Sequence, residues 1–428
     1  MKKEKVTIVG IGYVGLPLAC VAANKGYFVY GFDINKKAVA KVNHGEAPFK
    51  DVLVEEMLPT LVEEKKLKAT TDETVIKDSE IVIVCVPTPV DNNYRPDFGP
   101  LRSAVATISD NNKKGQLVVV ESTINPGVCE EVVLPLLEGQ GLKLGEDFYL
   151  AHAPERINPG DSHWNVSNLP RNVGAMTEKG LKKAVEFYER VIDAKINPMK
   201  SIREAEATKT IENAFRDINI AFINEIAKSF DQLGIDVVDV IKGASSKFSF
   251  MAHWPSCGVG GHCIPVDPYY LIQKAETVGF SHDFLKLARK INNSMPNYAV
   301  ELLQNELNKV EMPVKRTKIG LLGISYKAGI DDTRESPSFE ILQELNKLEA
   351  DVVAFDPYVL SKSGVKSLEE VLARSEALIV ATDHNQFKKE LTGENLKKNG
   401  IKVVIDGKNC LGKDEIIEAG VLYKGIGR

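Results

Sequence analysis

The sequence predicts an α/β protein with two doubly wound domains joined by a central helical domain. Three observations carry the prediction. A G-x-G-x-x-G turn follows a short apolar strand near the N-terminus. The same strand, turn, helix and strand pattern returns near residue 320, and a helix-period apolar stripe lies between the two copies. At 428 residues the chain exceeds one ordinary core. The expected boundaries are 1–200, 201–310 and 311–428.

The first copy reads KVTIVGIG as a strand, YVGLPLACVAANKG as a helix and YFVYGFDIN as the next strand. IVIVCVP (81–87) and LVVVEST (117–123) extend it into a parallel, Rossmann-like sheet. In the glycine turn, Gly10 permits a tight bend, Gly12 lets a pyrophosphate approach the backbone, and Gly15 lets helix and strand pack closely. Tyr13 and Val14 complete the turn, and the helix N-terminus offers N–H donors to phosphate. The second strand ends at Asp33, where a carboxylate accepts from ribose hydroxyls and repels a 2′-phosphate, so the expected cofactor is NAD and not NADP. A tight turn without cofactor is the plain alternative. The strand-end segments Val86-Pro87-Thr88-Pro89 and Ser122-Thr123-Ile124-Asn125-Pro126-Gly127 fall at the carboxyl edge of this sheet, where open α/β folds bind ligands. Ordinary strand termination explains them equally well.

In the central segment, Ile211, Phe215, Ile218, Phe222, Ile226 and Phe230 recur at helical spacing, and Gly234 closes the pattern. Such a stripe needs a covering surface, which either the two flanking domains or a second copy of the chain can supply, and a homodimer built on this helix is the expected arrangement. Lys209 and Asn213 sit one turn apart on the same helix. Together they can hold a hydroxyl or an oxyanion, or they are solvated surface. Glu155, in HAPERINPGD, follows a proline near a strand end.

The stretch CGVGGHCIPVD surrounds Cys263 with glycines. His253, Cys257, His262 and Cys263 match no usual structural-zinc spacing, so no metal is expected. A nucleophilic thiol needs access and a thiolate-favouring environment, which glycines and bare N–H groups provide. Beside an NAD site, such a thiol can add to an aldehyde. The adduct can lose hydride to give a thioester, which water hydrolyses. Asp267 is placed to act as base or orienter, and His262 shapes the loop. Cys20, Cys85, Cys129 and Cys410 lie in apolar stretches and read as core fillers.

The second copy runs from KIGLLGISYKAGIDDTRESPSFEILQELNKLEADVVAFDP, ending at Asp356, to the strands ALIVAT (377–382) and KVVIDG (402–407). The formal net charge of −5 argues against nucleic acid or an anionic membrane as partner. There is no apolar run of the ~20 residues needed to span a bilayer, and MKKEKVTIVGIG enters a strand directly. Scattered cysteines suit a reducing compartment, so the expected location is cytoplasmic.

Taken in order, GIGYVGLPLA, the TPxD after the third strand, STINPG, APER, ATKTIENAFR, GVGGHCIPVDPYYL and GISYKAGIDDTRESP resemble the nucleotide-sugar 6-dehydrogenases over nearly the whole chain. This is the family of UDP-glucose, GDP-mannose and UDP-N-acetylhexosamine dehydrogenases. GGHCIPVDP and FSFMAHWP look most like the branch that oxidises UDP-N-acetylglucosamine, with UDP-N-acetylmannosamine next. UDP-glucose enzymes more often carry a lysine where this chain has Val266. The resemblance implies a two-step oxidation of a sugar C6 alcohol to the acid, of the kind that supplies polysaccharide precursors. It implies Cys263 as nucleophile, Lys209 and Asn213 as oxyanion holders, and Glu155 and Thr123 around the catalytic water, with Asp267 assisting proton transfer. It places Lys327 and Arg334 at the UDP end, and Arg156, Lys247, Phe250 and Gly260 among the substrate contacts. Three departures stand out. Pro159 occupies the place of a second glutamate, Lys247 that of an arginine that in some members reaches across the dimer, and Cys257 that of a small residue or proline. Cys257 reads as loop packing, or as a partner for Cys263 in an adventitious disulfide. A catalytically silent nucleotide-sugar sensor and a zinc-stabilised binding module are the readings outside enzymes.

Overall fold

The computed structural model describes residues 4–91, 94–157 and 164–428. The chain divides into two compact units, Met1–Glu212 with Tyr269–Phe280, and Asn213–Pro268 with Ser281–Arg428. The first contains β1 (Lys5–Val9), β2 (Phe28–Phe32), β3 (Leu67–Thr70), β4 (Ile81–Val84), β5 (Gln116–Val120), β6 (Phe148–His152), β7 (Arg171–Ala175) and β8 (Ile196–Pro198). They form one sheet in the order β3-β2-β1-β4-β5-β6-β7-β8. Neighbours are parallel except β6 and β7, where His152 faces Gly174 across an antiparallel pair. The order reverses direction between β1 and β4, and the carboxyl edge at such a switch point is where this architecture binds ligands.

Local sequence explains the main elements. IVIV of β4 and QLVVV of β5 are buried at every position, as strands covered on both faces must be. Helix α1 (Gly15–Asn24) buries nearly its whole length. A Cβ on Gly15 would stand 1.9 Å from the Gly10 carbonyl oxygen, so only glycine allows this helix so close to β1. Gly10 itself takes φ +94°, a conformation open to few other residues. Cys20 and Cys129 are fully buried, whereas Cys85 and Cys410 are partly so. Strands β7 (RNVGA) and β8 (INP) carry no apolar run that would announce them.

The second unit holds β9 (Lys318–Leu322), β10 (Asp351–Phe355), β11 (Ala377–Val380), β12 (Val403–Asp406) and β13 (Leu422–Gly425). All are parallel, in the order β10-β9-β11-β12-β13. The echo seen in the sequence is therefore a structural repeat, but its carboxylates differ. Asp33 remains partly exposed. Asp356 is wholly buried. Its Oδ2 accepts from the Ile324 and Ser325 N–H groups at 2.7 and 2.8 Å and from the Ser325 hydroxyl at 3.0 Å, and His384 Nε2 lies 3.0 Å away. Its Oδ1 accepts from the Tyr358 N–H.

The long helix Ile202–Leu233 divides the apolar stripe between two settings. Its apolar stripe does not form a single buried face: Ile226 and Phe230 pack on the core built around Val237, Leu303 and Ile319, while Ile211, Phe215 and Phe222 are 56%, 42% and 54% exposed. The buried face carries small and polar residues instead, including Asn213, Ala214, Asp217, Ala221, Asn224 and Ala227. Lys209 and Asn213 belong to it, so solvated helix surface is not their setting. No helix of the described residues is long and apolar enough to cross a membrane.

Asp356 titrates below the ordinary carboxylate range: burial works against this, but the bonds from His384, Ser325 and Ile324 prevail. A depressed folded-state value contributes stability above the unfolded value, and that contribution is lost as pH falls through the folded one. Asp356→Ala should therefore cost about 3 kcal/mol at pH 7. Urea titrations should show this difference from wild type shrinking only in strong acid.

Candidate active site

The dinucleotide end of the first unit fits the group that its glycines suggest. A Cβ built on Gly12 meets nothing within 4 Å. No protein contact requires a glycine there, but a molecule pressed against the turn would. Tyr13 is 40% exposed, its ring 4.3 Å from that of Phe49. After Val14, helix α1 starts without a side-chain cap, which suits phosphate at its N-terminus. Asp33 spans the turn: Oδ2 accepts from the Ile11 N–H at 2.9 Å and Oδ1 from the Asn35 N–H at 2.8 Å. Two N–H donors hold the carboxylate in place while leaving lone pairs for ribose hydroxyls.

At the ends of β4 and β5 the two proline-bearing loops are tied together. The Ser122 hydroxyl donates to the Val86 carbonyl at 2.7 Å, and the Thr88 hydroxyl donates to the Thr123 carbonyl at 2.7 Å. Tyr270 braces the pair by donating to the Thr88 carbonyl. Pro87 itself is exposed and Thr123 partly buried. Glu206, one turn before Lys209 on the long helix, accepts from the Gly127 and Cys129 N–H groups, so the helix that carries the lysine also fixes the Thr123 loop.

Glu155, three residues beyond β6, is buried. Oε1 accepts from the Arg156 and Ile157 N–H groups at 2.6 and 2.7 Å, and Oε2 pairs with the Arg171 guanidinium. Arg156 is engaged elsewhere, with Glu212 at 2.9 Å and the Pro170 carbonyl at 2.9 Å. Pro159 lies outside the described residues. Arg171 also reaches Glu121, 3.2 Å away. Burial pushes the Glu121 carboxyl up to about 7 despite that arginine.

In the second unit the glycine run has a physical reason. A Cβ on Gly260 would lie 2.5 Å from Tyr326 Cβ and 2.8 Å from the Glu335 carbonyl, and one on Gly261 would lie 2.9 Å from the Tyr326 ring. The Gly261 N–H donates to the Arg334 carbonyl at 2.9 Å. The cysteine loop therefore rests directly on the turn between β9 and Pro337, which carries Lys327 and Arg334. Cys263 is partly exposed, and the Asp267 N–H donates to its carbonyl at 2.8 Å. Asp267 Oδ2 accepts from Asn213 Nδ2 at 2.6 Å, with both residues buried. The structure thus joins Asn213, Asp267 and Cys263. Arg334 is half exposed and gripped by Asp332 through Nε at 3.0 Å and Nη2 at 2.6 Å. Lys247 is exposed and Phe250 packs on the core.

Cys257 points away from this surface. It is wholly buried, donates its N–H to the Gly407 carbonyl at 3.0 Å and places Sγ 3.6 Å from the Ala381 carbonyl. The six cysteines form no disulfide. Among the described residues no group of three or more His, Cys, Asp or Glu is placed to hold a metal ion.

Glu121, Arg171, Glu206 and Asp332 escaped the sequence reading. Glu121 was visible beside Ser122 in VESTI, but Arg171 sits in a strand with no apolar signature.

Three stretches of the chain match the UDP-glucose/GDP-mannose dehydrogenase family: its NAD binding domain over residues 4–192, its central domain over 203–294 and its UDP binding domain over 320–413. The UDP-N-acetyl-D-mannosamine dehydrogenase of Pyrococcus horikoshii is 36% identical, with 99% of each chain covered. The UDP-N-acetyl-D-glucosamine 6-dehydrogenase of Pseudomonas aeruginosa is 37% identical, covering 97% of this chain and 99% of the relative. A solved structure of UDP-D-ManNAc dehydrogenase from Pyrococcus horikoshii superposes with a TM-score of 0.93 at 35% identity, covering 99% of both chains.

Asp33→Ala removes the expected ribose acceptor. NADH should bind about tenfold more weakly, the equivalent of one good hydrogen bond, with UDP affinity unchanged; fluorescence titration of each ligand reads both.

Proposed function

Since the chain belongs to the UDP-glucose/GDP-mannose dehydrogenase family, whose members are NAD-dependent UDP-sugar dehydrogenases, we propose that it oxidises the C6 alcohol of a UDP-N-acetylhexosamine to the carboxylate through a thioester on Cys263. The observation that carries this is the seating of the Cys263 loop on the turn bearing Lys327 and Arg334, with Asp267 bonded to Asn213 beside it. Relatives acting on the gluco and manno epimers stand at 37% and 36% identity. The proposed substrate is UDP-N-acetylglucosamine, with the mannosamine epimer and UDP-glucose as alternatives. We assign residues 1–200 to NAD, 201–310 to the helical, dimerising and cysteine-bearing part, and 311–428 to the UDP-sugar.

The Gly10–Gly15 turn and Asp33 would hold NAD, which when bound would serve as hydride acceptor for both oxidations. The chain's own groups do the rest. The Lys209 ammonium and the Asn213 amide stabilise negative charge as it develops on the C6 oxygen, where a fixed donor is worth most. The Cys263 sulfur adds to the aldehyde carbon, forming a C–S bond and keeping the aldehyde from escaping. After the second oxidation, water placed by Thr123 and Glu155 attacks the thioester carbonyl. The C–S bond breaks, sulfur leaves with the electron pair, and Asp267 helps to return its proton. Lys327 and Arg334 neutralise the diphosphate, arginine in a bidentate way.

Ile211, Phe215 and Phe222 are exposed on the long helix, and Phe248, Met251 and Trp254 are exposed beyond it, with the His253 ring 6.3 Å from Phe215; clustered apolar exposure of this kind marks interaction surfaces. A second copy of the chain is the proposed cover.

Mixing the protein and NAD in turn with UDP-N-acetylglucosamine, UDP-N-acetylmannosamine and UDP-glucose should yield NADH fastest with an N-acetylated sugar. Cys263→Ser should end steady acid production while nucleotide binding persists; uronate made at the normal rate would remove the thioester. Phe222→Glu should convert a dimer to a monomer in light scattering.

A further inference from the structure

Behind Glu155 lies a sealed charge array that the mechanism above does not use. Glu121 is the residue after β5, and β5 runs parallel to β6 with Val120 facing His152. Strand β7 runs the other way, so its first residue, Arg171, comes back to the carboxyl edge beside the residues that follow β6. The Arg171 guanidinium bridges two carboxylates, Glu155 through Nη2 and Glu121 through Nη1 at 3.2 Å. All three side chains are almost fully buried. One cation thus serves two anions in a medium that penalises unbalanced charge. The Tyr188 hydroxyl donates to Glu121 Oε1, and the Arg171 guanidinium carbon lies 5.4 Å from the Tyr188 ring centre. Cys85 Sγ lies 4.0 Å from Glu121 Oε2. His152, on β6, is held neutral by burial, its pKa lowered to about 3.

Resting on the functional reading above, we infer that Glu121 is a positioning residue that sets how readily Glu155 accepts a proton from the attacking water, by competing with it for Arg171. When Glu121 carries its proton, the whole guanidinium charge falls to Glu155, which is then a carboxylate held by three donors and a poor base. When Glu121 is ionised, the arginine is divided and Glu155 becomes more basic. Arginine keeps its own protons throughout, so the coupling is electrostatic and not a proton wire. In the step concerned, a water O–H bond breaks and its proton goes to Glu155. The oxygen forms the new C–O bond, the C–S bond breaks, and the thiolate takes up a proton as the acid leaves. Burial pushes the Glu121 carboxyl up to about 7, so the array can change state near neutral pH.

The sign for stability follows from the same shift. A carboxyl whose folded value is raised binds its proton more tightly in the folded state, so its ionisation penalty is absent below the unfolded value and complete above the folded one.

The test is single-turnover decay of the acyl-enzyme on Cys263 in the full-length protein, acid-quenched and read by mass spectrometry from pH 5.5 to 9. Wild type should show an acid limb near pH 7. Glu121→Gln, which keeps the shape and loses the titrating charge, should remove that limb and leave the rate at about a tenth of the wild-type plateau. Tyr188→Phe removes a hydrogen bond that favours the ionised form of Glu121, so it should move the limb up. Loss of the limb in Glu121→Gln together with its upward displacement in Tyr188→Phe supports the coupling, because loosened packing would scale the rate without reshaping its pH profile. Profiles of wild-type shape in both variants, or in Tyr188→Phe alone should Glu121→Gln fail to fold, overturn it while leaving the thioester reaction standing. No acyl-enzyme and no NADH from wild type with any UDP-sugar would overturn the functional reading, and this inference with it.

Discussion

The glycines of the cysteine loop lie directly against the Tyr326 side chain and the Glu335 carbonyl of the turn in the second nucleotide fold, leaving no room for side chains of their own. A Cβ at Gly260 or Gly261 would overlap Tyr326 or the Glu335 carbonyl, and the Gly261 N–H needs the closeness to reach the Arg334 carbonyl. Everything proposed for the thiol follows from that contact. It puts the turn bearing Lys327 and Arg334 next to the loop of Cys263, and the loop then runs directly into Asp267, which is bonded to Asn213. The glycines thus act by absence, as close approach of two main chains requires.

The long helix contributes through its polar side. Glu206 ties down the Thr123 loop, Lys209 follows one turn later, and Asn213 reaches Asp267. Further along, Asp217 is bonded to Arg289 and Asn292, and Asn224 links Asn292 to the Ser256 N–H. Buried polar groups bonded to one another specify one arrangement more sharply than apolar packing would, although Asp217 Oδ2 and Arg289 Nε make no hydrogen bond among the described residues. The chain from Asp217 to Ser256 ends next to Cys257, whose backbone is pinned to Gly407.

Much of this was legible in the sequence, for identifiable reasons. The glycine turn and Asp33 announce themselves because they are local in sequence. The repeat near residue 320 was visible because strand, turn and helix recur at the same spacing. The long helix was found from its period, but an apolar stripe marks a surface to be covered without saying by what, and here part of it packs on the core around Val237 and part is exposed. Lys209 and Asn213 could not be told from surface residues by spacing alone; burial distinguishes them. Arg171, and with it the pairing of Glu121, was illegible because that pairing depends on β7 running antiparallel, and RNVGA has nothing in it that fixes a strand direction. Cys257, which stands near Cys263 in the sequence, lies in a different environment because the intervening glycines turn the chain.

The repeat also has a consequence for ribose recognition. Two modules built on one pattern end the second strand in the same carboxylate but present it differently. Asp356 is wholly buried and already bonded to Ile324, Ser325, Tyr358 and His384, so the duplicated module does not hold out to a ribose the partly exposed acceptor that Asp33 holds out in its twin.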